Sequence, residues 1–268
     1  RLIPSDDALW MMCGVYLPQY GQTLSDDSSA NIIQTHITYT VDGSHWAPLR
    51  PLLRPNAWGW STIAWERCFV TAAYRCGKYG EAHSIELYGG TSLLQQVPVG
   101  VIYDGSASDT RYFLPCEPVL YQPAQDVLGC TVRTEKQMVL GVAHRSDLRN
   151  WRWWNVTPLT NSFLHPSAII STKYGWLMVA RELYERKTKT RTIVDWSTRL
   201  YTLNGQQVQE VAVLQAEGDC AYGGICEGVN EDEYIVSYYS AHAYYKHGTF
   251  GATLPSADVY IATVKVSA

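Results

Sequence analysis

The sequence predicts an all-β fold: a five-bladed β-propeller forming a single domain over residues 1–268. Three observations carry that expectation. Apolar strand segments begin at Trp10, Cys68, Val127, Trp176 and Tyr234, at successive intervals of 58, 59, 49 and 58 residues. Each has a strand-like segment before it and another after it, so the repeating unit is an up-and-down meander of roughly 50 residues, the signature of propeller blades. Long apolar periodicity of the helical kind is absent, as strands of period two require.

Taken in order, the blades are expected near 1–56, 57–112, 113–161, 162–216 and 217–268. Their first strands read RLIPSDD, STIAWE, EPVLYQP, HPSAIIST and GGICEGV, and their third strands THITYTV, HSIELYG, MVLGVAH, RLYTLNG and DVYIATV. The segments Pro18 to Asn31 and Ala243 to Ser256, rich in Ser, Gly, Tyr or Asp, are expected to be surface loops. Two turns share chemistry: TVDGSHW and SDLRNW both place Asp four residues before Trp. A carboxylate caps such a turn while the Trp is expected to pack between strands.

Composition bounds the function. Hydrophobic residues make up 46% of the chain and charged ones 17%, enough apolar material for a sizeable core. A formal charge of −4 argues against nucleic acid as a partner. No apolar run approaches the length of a membrane-spanning helix. Ten Trp and nineteen Tyr against four Phe favour aromatic faces with polar edges, useful in wet binding sites. Of the seven Cys, none forms a CxxC pair, so a zinc ribbon or a thioredoxin-type site has no support. The odd count leans towards reduced thiols, with one or two bridges left open, and Cys13, Cys68 and Cys130 are expected as buried thiols. Neither a metal nor a cofactor is expected.

Propeller geometry turns the repeat into a site. The first strand of a blade lies at the axis and the second runs antiparallel beside it, so second-strand ends and first-strand starts share one face. Arg75, Arg133 and Arg181 are placed at the ends of second strands. Arg1, Trp60–Ser61, Glu117, His165 and Asp219–Tyr222 are placed at the starts of first strands. Guanidinium forks bind carboxylate or sulfate bidentately, so these arginines are expected either to take an anionic ligand or to pair internally with Glu117, Glu135 and Glu182. Glycoside hydrolysis commonly uses two carboxyl groups. Glu117 is expected as acid/base, or else as a salt-bridge partner of Arg133 or Arg181, and Asp219 as the second carboxylate. His165 would hydrogen-bond a sugar hydroxyl or help to bind a cation. Trp58, Trp60 and Trp65 would form a stacking wall, with a blade-core position open for Trp65.

The stretch EGDCAYGGICEGVNEDEYIVSYYSAHAYY, with the closing SADVYIATVKV, resembles the last blade of the bacterial sialidase-like (exo-α-sialidase-like) propeller proteins. Gly218, Asp219, Tyr222, Gly223, Ser237 to Ser240, His242 and Val259 to Ala262 carry the match. The Glu117 and Arg181 strands are similar to that family's third and fourth blades. Five blades also look like the arabinanase and invertase type of glycoside hydrolase, which use carboxylates at the channel mouth. The chain departs from the family pattern at Tyr16–Leu17–Pro18, Ser61, Glu66 and Ala243. The resemblance implies a glycosidase acting on an anionic or sulfated glycan, with Tyr222 or Tyr239 as a nucleophile activated by Glu117. Arg1, Arg75, Arg133, Arg181, His165, Trp60, Tyr239 and His242 would bind substrate. The rival expectation is a non-catalytic propeller that binds carbohydrate or protein.

Overall fold

A computed structural model describes residues 1–5, 7–17, 32–75, 83–105, 115–134, 138–156, 163–187, 192–216, 220–243 and 257–267. The chain is a five-bladed β-propeller of antiparallel sheets. The first sheet contains β1 (Leu2–Pro4), β2 (Leu9–Leu17), β3 (Ile32–Thr40) and β4 (Arg50–Pro51). The second contains β5 (Ala57–Trp65), β6 (Cys68–Arg75), β7 (Ser84–Ser92) and β8 (Gln95–Asp104). The third contains β9 (Cys116–Ala124), β10 (Val127–Arg133), β11 (Met138–His144) and β12 (Arg152–Val156). The fourth contains β13 (Phe163–Thr172), β14 (Gly175–Lys187), β15 (Thr192–Asn204) and β16 (Gln207–Val213), and the fifth β17 (Cys220–Glu227), β18 (Glu233–Ser240) and β19 (Asp258–Lys265). Among the described residues no helix is long and apolar enough to cross a membrane.

The strands fall into two compact units, Arg1–Cys130 with Gly141–Arg152, and Thr131–Leu140 with Trp153–Ala268. In the first, β5 is tied down on both sides. The Ser61 hydroxyl accepts from Leu120 N at 3.0 Å, and Trp65 Nε1 donates to Gln125 O at 3.1 Å, fixing β5 against β9. Thr35 Oγ1 donates to Ala57 O at 2.6 Å and accepts from Gly59 N at 2.8 Å. Gly59 permits that approach: a Cβ there would lie 2.7 Å from Met12 Sδ. A buried carboxylate, Glu86, receives Arg54 Nε at 3.1 Å and the Tyr88 hydroxyl at 2.7 Å, which satisfies its charge away from water. In the second unit Leu177, Val179, Leu200, Cys220, Val236 and Tyr238 form one core. Glu182 plays the part that Glu86 plays in the first, accepting from Arg199 Nε at 2.7 Å and from the Tyr201 hydroxyl at 3.1 Å.

Several local expectations change. Cys130 is buried, and burial pushes its thiol up, but Cys13 is only half-buried and Cys68, the first residue of β6, is exposed. Cys13, Cys68, Cys116, Cys130, Cys220 and Cys226 are all free thiols, and Cys76 lies outside the described residues. Asp42 caps its turn as expected, accepting from Ser44 N and His45 N at 2.8 Å each, and these bonds hold its carboxyl well below the usual range. Trp46 is nevertheless 40% exposed rather than packed between strands. Trp65 is a core residue and forms no stacking wall. The segment 18–31 and most of the segment 243–256 lie outside the described residues.

Candidate active site

Three first strands carry an irregularity at comparable places. Register shifts fall between Gly59 and Ser61 in β5, between Pro166 and Ala168 in β13, and between Ala221 and Gly224 in β17. Bulges of this kind unpair a residue and re-aim its side chain, and they concentrate beside functional sites. The unpaired residues are Trp60, Ser167 and the Tyr222–Gly223 pair. Next to each bulge a cross-strand pair recurs in the same register: Trp58 opposite Tyr74, His165 opposite Arg181, and Cys220 opposite Ser240.

That register revises the expected row of arginines. Arg75 pairs with Ala57, one residue beyond the row; Tyr74 holds the position that corresponds to Arg181. Side chains alternate along a strand, so Arg75 points to the other face of its sheet. Arg75 is exposed at the end of β6 and Arg133 is half-buried at the end of β10. Arg181 does not end its strand, because β14 continues to Lys187. Nor does Arg181 pair with Glu182, whose carboxylate is held by Arg199.

In the second unit Arg181 is seated by three contacts. Its Nη2 donates to His165 Nδ1 at 3.1 Å, its Nη1 lies 3.5 Å from Cys220 O, and its Cζ stands 4.2 Å over the Trp196 ring. His165 packs its own ring 5.4 Å from Trp196. Arginine has no acceptor, so His165 Nδ1 must be the unprotonated nitrogen. Burial first, then the charges of Arg133 and Arg181, holds this imidazole far below its ordinary value, at about 2. His165 is therefore a neutral acceptor that orients a guanidinium. In the same unit Tyr222 packs 6.0 Å from Tyr239. His242 is anchored through Ser240 Oγ (2.9 Å to Nδ1) and lies 4.5 Å from the Tyr260 ring.

The backbone marks two of the candidate catalytic residues. Among the described residues, non-glycine positive φ occurs at Asn56, Glu66, Glu117, Tyr222 and Asp232. Asn56, Glu66 and Asp232 lie in turns, where such φ values are ordinary. Glu117 (φ 52°) is the second residue of β9, and Tyr222 (φ 49°) sits in the bulge of β17. Left-handed backbone at a residue with a Cβ costs about 1–3 kcal/mol and collects at functional sites. Glu117 is also buried, whereas Tyr222 is 44% exposed. Asp219 lies outside the described residues.

In the first unit the aromatic wall is larger than the sequence suggests. Trp58 stacks on Tyr74 at 5.6 Å and 21°, meets Trp60 at 6.0 Å and Tyr16 edge-on at 5.9 Å and 88°. Arg1 stands over Trp60 at 5.0 Å. Tyr74 and Trp196 are neighbours that sequence reasoning missed, and Tyr16 and Ser240 were named there without a place in the expected site. Only strand register could have found them, since each is defined by what lies opposite or diagonal to it.

No protein-family model matches the chain, and no curated protein does. Solved structures match well in fold. A protein of unknown function from Dyadobacter fermentans superposes with a TM-score of 0.65 at 12% identity, over 98% of this chain and 74% of that one. An exo-1,5-α-L-arabinanase from a bovine ruminal metagenomic library gives 0.57 at 9% identity, over 98% and 91%. An endo-arabinase from Bacteroides thetaiotaomicron gives 0.53 at 10% identity, over 95% of each chain. Likeness at such identity establishes the shared propeller architecture alone.

Proposed function

We propose that the protein is a glycoside hydrolase acting on an anionic glycan. Glu117 is its general acid/base, Asp219 the partner carboxylate, and Arg181, oriented by His165 and Trp196, recognises the anion. The observation that carries this reading is left-handed backbone at two of the expected catalytic residues, Glu117 near the start of β9 and Tyr222 at the bulge of β17. Glu117 is buried, which keeps a reacting carboxyl away from bulk water. The likeness to arabinan-acting enzymes supports a carbohydrate substrate. Tyr222, half-exposed beside Tyr239, is the alternative nucleophile.

A second reading is recognition without cleavage. The Arg181–His165–Trp196 group favours it, because it is built for holding a planar anion and its imidazole is unable to act as an acid near neutral pH. One experiment separates the two: a panel of uronate, sialate and sulfated glycans, scored by binding and by product release for the wild type and Glu117→Gln. Release by the wild type that falls at least 100-fold in the variant, with binding kept, is the expected result. Binding without release by either protein would leave recognition as the function.

A further inference from the structure

We infer that Tyr16, Trp58 and Tyr74 form a stacking subsite for an uncharged hexopyranose unit. The inference stands on contacts within the first unit, and its ligand class deepens the glycan reading given above. Three strands converge on this cluster: β2 supplies Tyr16, β5 Trp58 and β6 Tyr74. Their contacts, edge-on to Tyr16 and stacked on Tyr74, are preferred aromatic geometries, so the group is rigid before any ligand arrives.

The neighbouring backbone makes room for it. Gly14 lies in the middle of β2, where glycine weakens a strand. A Cβ there would stand 2.7 Å from Trp58 Cε2 and 2.8 Å from Nε1, so only glycine lets the indole lie where it does. The cluster is also not core. Tyr88 and Tyr121 are 2% and 5% exposed, but Tyr16 is 40% exposed and Trp58 and Tyr74 are half-buried. Trp58 Nε1 and the Tyr16 hydroxyl hydrogen-bond to no described residue. Apolar faces bordered by an N–H and an O–H match a pyranose ring, which offers C–H groups on a face and hydroxyls at its rim. A nucleobase would stack as well, but the formal charge of −4 disfavours its phosphate chain.

The test is a titration of the intact chain with methyl β-glucoside, methyl β-galactoside, cellobiose and lactose, followed by tryptophan fluorescence and saturation-transfer NMR. Binding of at least one sugar by the wild type is expected, weakened tenfold or more in Trp58→Ala and less than threefold in Trp58→Phe. Trp46→Ala removes an exposed indole elsewhere and should bind as the wild type does. No saturation transfer to any of the four sugars, or equal binding by Trp58→Ala, overturns the inference. Sugar binding that depends on Trp58, in a protein that releases no product from any glycan, would sink the hydrolase reading and leave this subsite standing.

Discussion

Tyr222 shows how a bulge concentrates backbone cost on a single residue. Its ring packs 6.0 Å from Tyr239, yet its backbone is held at φ 49° within β17. Asparagine visits this region far more readily than tyrosine. Tyr222→Asn therefore exchanges an aromatic contact worth about 0.5–1.5 kcal/mol for relief of about 1–2 kcal/mol of strain. Its unfolding free energy is expected to stay within about 0.5 kcal/mol of the wild type or to rise. Tyr239→Asn loses the same contact and relieves nothing, so it is expected to lose about 1 kcal/mol. Urea denaturation of both variants measures the difference. Equal losses would mean that φ at Tyr222 is not strained. Glu117, at φ 52° and buried, has the same character but also a charge to satisfy, so Tyr222 gives the cleaner comparison.

At the scale of strands, bulges lie beside the candidates and a glycine in β2 makes room for the Trp58 indole. Gly14→Ala tests that directly. Its Cβ would force the Trp58 indole to move, and overpacking of this kind costs about 1–3 kcal/mol. The expected outcome is a loss in that range by urea denaturation, with a shifted tryptophan emission. An unchanged emission spectrum would show that the indole does not rest on β2. The same scale explains what was legible in the sequence. Alternating apolar strands such as CFVTAAYR and WLMVARE, with short polar turns, announce the meander, because a half-buried strand has to repeat every second residue. A bulge has no such pattern. β5 and β13 carry the same one-residue bulge, and Tyr74 and Arg181 correspond because each stands six residues after the first paired residue of its second strand, Cys68 and Gly175, whereas strand ends alone suggested Arg75. Arg181 is expected at a strand end, but β14 runs on to Lys187. Glu182 was offered as its partner although alternation sends the two to opposite faces. Trp196 and Tyr74 escaped because they are neighbours only across strands.

Over the whole molecule, buried ionisable groups differ in what they face. Glu86 and Glu182 keep partners, Arg54 with Tyr88 and Arg199 with Tyr201, whereas the charges of Arg133 and Arg181 oppose protonation of His165. His165 consequently stays neutral in the folded chain down to about pH 2, while an imidazole in an unfolded chain titrates near 6.5. Between those values the unfolded state binds a proton that the folded state refuses, so stability rises with pH across that window. Acidification from pH 6.5 towards 4.5 is therefore expected to lower the unfolding free energy, with a slope approaching about 1.4 kcal/mol per pH unit from this one group. Asp42 adds little there, since its ordinary range lies lower and its carboxylate is held lower still. In His165→Asn the amide oxygen can still accept from Arg181 but takes up no proton. That variant is expected to flatten the profile between pH 4.5 and 6.5 while retaining the fold by circular dichroism. Urea midpoints at half-unit intervals of pH measure both curves, and parallel slopes for the two proteins would remove His165 as the origin of the acid sensitivity.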